Sequence, residues 1–180
     1  MSEFIDYAKE LMESAKGFAE KGKSEKDPKL KQAYLRASLM HGFSFLEAHL
    51  NELADHFRSG KTLPVHERGI LLEREVRLDK GGFKLTATPK FSKIIDRIEV
   101  ILKNFCSDVA AAKGDWFTEL GTALHSRNKL VHPKEKHELS HKEVLKSLKA
   151  FIDCIDALFV AVFKKGFPYK GKSLEGGYDL

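Results

Sequence analysis

The residues best suited to chemistry lie in the run Arg127-Asn-Lys-Leu-Val-His132. A phosphodiester of RNA can be cleaved without a metal ion when the neighbouring ribose 2′-hydroxyl attacks phosphorus. That reaction needs an acid or base that titrates near neutrality, which histidine provides. It also needs a cation to steady the charge building on phosphate, and the planar fork of arginine matches phosphate oxygens two at a time. Five residues apart at a helix end, Arg127 and His132 can converge on one pocket. Asn128 adds a polar group beside the arginine, and Lys129 and Lys134 are basic neighbours that suit an RNA backbone. The same residues also suit a plain helix C-terminus, where cations offset the helix dipole. The spacing occurs once more, in Arg36-Ala-Ser-Leu-Met-His41. There it falls inside a long helical pattern, where five residues at about 100° each set the two side chains well apart around the axis. Apolar Ala37 follows that arginine, so a packing role is expected for Arg36 and His41.

Other chemistry is poorly served. The eight histidines form no His-Glu-x-x-His, and the two cysteines form no Cys-x-x-Cys. The strong zinc signatures are therefore missing, and neither a metal site nor a cofactor is expected. His49 and His56, seven apart, and His137 and His141, four apart, read as solvated or capping side chains. Lys80-Gly-Gly-Phe83 lacks the strand and helix that a phosphate-binding loop needs, and no Gly-x-Ser-x-Gly elbow occurs. Cys106 and Cys154 read as buried free thiols.

With 42% hydrophobic and 32% charged residues, the 180-residue chain has the make-up of one ordinary globular domain. No stretch of about 18 uncharged apolar residues occurs, so no membrane span is expected. The start, Met1-Ser-Glu-Phe-Ile-Asp-Tyr7, lacks the basic and then apolar run of a signal peptide. These features point to the cytoplasm. A formal charge of +5 and a pI near 9.1 permit a nucleic-acid partner without requiring one.

The elements that must position Arg127 and His132 read as helices. Phe4, Tyr7, Ala8, Leu11, Ala15, Phe18 and Ala19 predict a helix from about Glu3 to Lys21, broken at Gly22, with Pro28 opening the next. Leu35, Leu39, Phe43, Leu46, Leu50, Leu53 and Phe57 make one apolar stripe over about six turns. A second stripe of smaller residues runs through Ala33, Ala37, Met40, Ser44 and Ala48, which predicts a helix central to a bundle. Between residues 60 and 89 the pattern weakens. A short helix over Ile70 to Leu78 leading into an ordered loop is preferred there. The alternative is a hairpin pairing Glu75–Leu78 with Phe83–Thr86 across Asp79-Lys-Gly-Gly82. Phe91, Ile94, Ile95, Ile98, Ile101, Leu102 and Phe105 predict another helix, with Ser92 as its cap. The next begins near Asp115-Trp116 and stops by Val131, because Pro133 disfavours α geometry at His132. Ser140-His-Lys-Glu143 is a capping box opening the last helix. The expected fold is all-α, a bundle of about five helices over residues 1–165, with an irregular, partly mobile tail at 166–180.

Arg127-Asn-Lys-Leu-Val-His132 resembles the Arg-x4-6-His motif of the HEPN superfamily (higher eukaryotes and prokaryotes nucleotide-binding domains), including the polar residue after the arginine. Ser44-Phe-Leu-Glu-Ala-His-Leu-Asn-Glu-Leu53 is similar to part of the second helix of many such domains. The resemblance implies a helical bundle that forms a homodimer and so brings two motifs together in a cleft. It further implies a metal-independent endoribonuclease in defence or a toxin–antitoxin pair, with an antitoxin protein as a partner. In that reading Arg127 binds the scissile phosphate, His132 is the acid or base, and Asn128 positions or assists. Glu47 is a weaker candidate on the neighbouring helix. One subgroup carries a tyrosine two residues after the histidine; Lys134 stands there, so regulation through such a tyrosine is not expected. The alternative is a non-catalytic HEPN-like module that binds RNA, nucleotide or a protein partner, and a purely structural dimerisation domain is the third reading.

Overall fold

The computed structural model describes residues 2–59 and 62–170, with side chains from residue 6 onward. Among the described residues, six α-helices surround one core and a single hairpin sits at its edge. The long helices are α1 (Ser2–Ser24), α2 (Pro28–Asp55), α4 (Ile94–Phe105), α5 (Val109–Val131) and α6 (His141–Phe163), with a short α3 (Val65–Leu71) between α2 and the hairpin. The mostly helical bundle expected from the apolar periodicity is present, with a two-stranded sheet added to it. No described helix is long and apolar enough to cross a membrane.

α2 is the central element because its main stripe is buried throughout: Leu35, Leu39, Phe43, Leu46, Leu50 and Leu53 all lie in the core. Asp27 caps it by accepting from the backbone N–H of Lys29 and Leu30, and Pro28 fills the first helical position. Gly42 admits α6 to close range, since a Cβ there would stand 2.3 Å from Leu148 Cδ2. The second, small-residue stripe is only partly covered: Ala37, Met40, Ser44 and Ala48 are half-buried and Ala33 is exposed. α1 runs through Gly22 to Ser24 instead of breaking there, and Gly22 packs tightly against Leu35. The Phe4 side chain lies outside the described residues.

The insert is where expectation and structure part. The preferred helix over Ile70–Leu78 does not form; α3 ends at Leu71, and Arg74–Asp79 is strand β1, paired antiparallel with β2 (Gly82–Pro89). The pairing Leu78↔Phe83 and Asp79↔Gly82 leaves Lys80 and Gly81 as the turn. Both have positive φ (49° and 80°), the geometry of a tight turn that follows strand twist. Apolar positions of a helix recur every third or fourth residue, whereas Val76 and Leu78 alternate, which suits a strand. Val76 is packed on α3, where a Cβ on Gly69 would come within 2.6 Å of its Cγ2.

Ser92 does not cap α4. Lys93 occupies that position without a side-chain cap, while the Ser92 N–H donates to Glu73 Oε1 at 3.1 Å. Phe91 is 92% exposed instead of joining the α4 core stripe. α5 begins at Val109, earlier than expected, but kinks at Gly114 (φ 45°), so the straight portion does start at Asp115. Its last turn ends at Val131, as the proline at 133 dictates. The capping box at α6 is formed in both directions between Ser140 and Glu143. Beyond α6 the chain is irregular yet docked: Phe167 is buried against Phe45 and Phe159, and Lys170 pairs with Asp153 and Asp156. The rest of the expected tail, 171–180, lies outside the described residues.

Candidate functional site

The C-terminal half of α5 carries the Arg127–His132 run along the outside of the bundle, one face against α2. On its inner side, Arg127 lays its guanidinium over the Phe43 ring of α2, 4.3 Å from the centroid. Arg127 Nη1 donates to Asn128 Oδ1 at 3.2 Å, and Arg127 Nε is buried without a hydrogen-bond partner among the described residues. A buried guanidinium N–H left open is costly, and such groups call for an explanation.

Arg127 opens into a hollow of about 520 Å³. Glu47, Glu73 and Lys93 bring charge to that hollow, His125 and Asn128 line it from α5, and Phe91 stands at its mouth. Burial pushes the Glu47 carboxyl above its ordinary value against the pull of Arg127; Glu73 adds to the rise and Arg97 opposes it. Glu73 is held by Arg97 Nη1 at 3.3 Å as well as by the Ser92 N–H.

His132 occupies the C-cap of α5, its backbone N–H closing the last turn on Asn128 O at 2.9 Å. Its exposed imidazole lines an adjoining hollow of about 470 Å³, together with His125, Asn128, Lys129, Lys134 and Glu135. Lys129 meets Glu135 at 3.7 Å. The loop that follows is fixed from α2. Gln32 both donates to Leu139 O and accepts from Leu139 N–H, each at 2.9 Å, and Arg36 Nη2 donates to His137 O at 3.2 Å.

Arg127 and His132 therefore do not share one pocket within a chain. Five helical residues turn about 140°, which sends the arginine inward and the histidine outward. Asn128 and His125 line both hollows and join them. Lys129 and Lys134 fall with His132, as their place in sequence suggests. The second Arg–His pair is built into the packing: Arg36 ties down the loop, and His41 stacks on Phe18 at 5.3 Å.

No known family model matches this chain, and no curated protein sequence and no solved structure matches it either.

Two residues of the site escape a reading by spacing. His125 lies outside the Arg127–His132 run and gains its place because it is almost two full turns from His132. Phe91 looks apolar and in register with α4, yet the chain turns before the helix begins. His49, expected to be solvated or capping, is instead buried, bonding Glu52 at 2.9 Å and packed between Phe45 and Phe167. Cys154 is a buried free thiol, its pKa pushed up by burial, and Cys106 is half-buried and free. Among the described residues no three His, Cys, Asp or Glu side chains are grouped to hold a metal ion.

Proposed function

We propose that this protein is a metal-independent endoribonuclease of HEPN type, cytoplasmic and homodimeric, acting in defence or as the toxin of a toxin–antitoxin pair. The observation that carries the reading is Arg127: a guanidinium packed on Phe43, with a buried Nε that no described protein group satisfies, at the edge of an open hollow. A phosphate oxygen is the partner such a fork fits. Asn128 would help seat the phosphate, and Lys129 and Lys134 would hold the RNA strand on the His132 side. The exposed Phe91 ring offers a face on which an unpaired base stacks. His132 would transfer the proton as the 2′-oxygen attacks phosphorus, giving a 2′,3′-cyclic phosphate and a free 5′-hydroxyl. A homodimer would place two such clefts side by side, and an antitoxin would act by covering them.

The test is incubation of the purified protein with mixed single-stranded RNA in EDTA. Wild-type cleavage with 2′,3′-cyclic ends is expected. His132→Ala should slow it by about 10²- to 10⁴-fold, and Arg127→Ala by about 10²- to 10³-fold. Full activity in both variants would remove the reading. The second reading is a non-catalytic module that binds RNA, and the separation of Arg127 and His132 into adjoining hollows favours it. It predicts RNA binding that weakens in Arg127→Ala, with no cleavage by any form.

A further inference from the structure

Resting on the ribonuclease reading, we infer that His125 is the second proton-transfer group of the site, so that one chain supplies both acid and base to a single scissile phosphate. Metal-free cleavage requires two transfers. A proton leaves the 2′-hydroxyl as the O2′–P bond forms, and a proton reaches the 5′-oxygen as the P–O5′ bond breaks. The Arg127–His132 run holds one histidine, which by itself would leave the second transfer to a partner copy.

The eight histidines divide by environment. His41, His49, His56 and His66 each pack against an aromatic ring, and His141 faces Glu20 at 3.7 Å. His137 has its Nε2 buried. His125 and His132 are both exposed, and among the described residues neither imidazole has a hydrogen bond, ion pair or ring contact. These two line the same hollow, with Asn128 between them.

Helix geometry explains the pairing. Counted from His125 to the C-cap at His132, seven residues advance about 10.5 Å and fall only about 20° short of two full turns, which brings both histidines to one hollow. His125 also lines the Arg127 hollow, so it stands where the two hollows meet.

The charged groups around the pair come from five segments. α5 contributes Arg127 and Lys129, and the following loop contributes Lys134 and Glu135. α2 contributes Glu47, while Glu73 at the root of the hairpin and Lys93 before α4 complete the set. One imidazole enters neutral and takes the 2′-oxygen's proton. The other enters protonated and gives its proton to the departing 5′-oxygen. The products are the cyclic phosphate and the 5′-hydroxyl, and exchange with water restores the starting protonation of both rings.

The experiment measures RNA cleavage in EDTA between about pH 5 and 8 by wild type, His125→Gln, His125→Ala and His132→Ala. His66→Gln, on α3 and packed on Phe83 of the hairpin, serves as the control. The wild type should give a bell-shaped profile. Both His125 variants should lose about 10²-fold or more in kcat and one limb of the bell, with an unchanged thermal midpoint. Co-refolding His125→Gln with His132→Ala should recover nothing, since neither chain then carries both groups. A His125→Gln protein with the wild-type rate and bell would overturn the inference while leaving the ribonuclease reading intact, provided His132→Ala is inactive. Recovery in the mixture would overturn it too, by showing that the two groups come from different chains. A wild type that cleaves nothing would remove the ribonuclease reading and this inference together.

Discussion

Arg97 on α4 and Arg127 on α5 both act on the Glu47 carboxylate, and the fold treats them in opposite ways. Arg97 is 2% exposed and engaged at each of its three nitrogens: its Nε donates to Leu71 O at 3.1 Å, Nη1 to Glu73 at 3.3 Å and Nη2 to Asn51 Oδ1 at 2.7 Å. It ties α2, α3, α4 and the root of the hairpin together. Arg127 is less buried, donates to the neutral Asn128 and keeps Nε unmatched. A buried arginine with every nitrogen engaged has little left for a ligand, whereas one with an unengaged nitrogen beside a hollow has a donor to offer. Composition does not separate the two residues; their acceptors do.

The sharpest way to break this comparison is Arg97→Ala. It leaves Glu73 and Asn51 without their buried partner, and a loss of about 3–5 kcal/mol in stability is expected from urea unfolding. Arg127→Ala should leave the unfolding midpoint nearly unchanged despite its lost activity. Equal destabilisation by the two would erase the distinction.

Phe91→Ala tests the outer edge of the Arg127 hollow. With 92% of the residue exposed, nothing in the core depends on it, so stability should hold. Affinity for single-stranded RNA should fall by about 1–3 kcal/mol in a binding titration if the ring stacks a base. Unchanged affinity would leave Phe91 as a bystander.

The smallest effect concerns Glu47. Its carboxyl is raised by burial, so its contribution to stability is fully present below the ordinary carboxylate value and is lost as pH rises through the raised folded value. Glu47→Gln should therefore raise the thermal midpoint slightly at neutral pH, with the gain fading as pH falls into the ordinary carboxylate range. A drop at neutral pH would mean that the attraction to Arg127 and Arg97 outweighs the cost of burial.

Much of the frame was legible in the sequence. The α2 stripe from Leu35 to Leu53, the capping box at Ser140 and the stop before Pro133 are local signals, set by period and backbone sterics that need no partner. The hairpin was visible only as an alternative, because a short run such as Ile70–Leu78 satisfies two periods and the packing of Val76 against Gly69 decides between them. The types and spacing of Arg127, Asn128 and His132 were equally plain. Their distribution over two hollows was not, since it depends on which side of α5 faces Phe43. The same holds for His125, which no motif contains, and for Phe91, which its register assigns to the core. Sequence by itself determined the long helices, the stop before Pro133, the start of the last helix and the kinds of side chain available for chemistry. Tertiary structure alone decided which arginine is locked and which is open, and which two histidines share a hollow. Side-chain partnership depends on residues far apart in the chain, which no local period records.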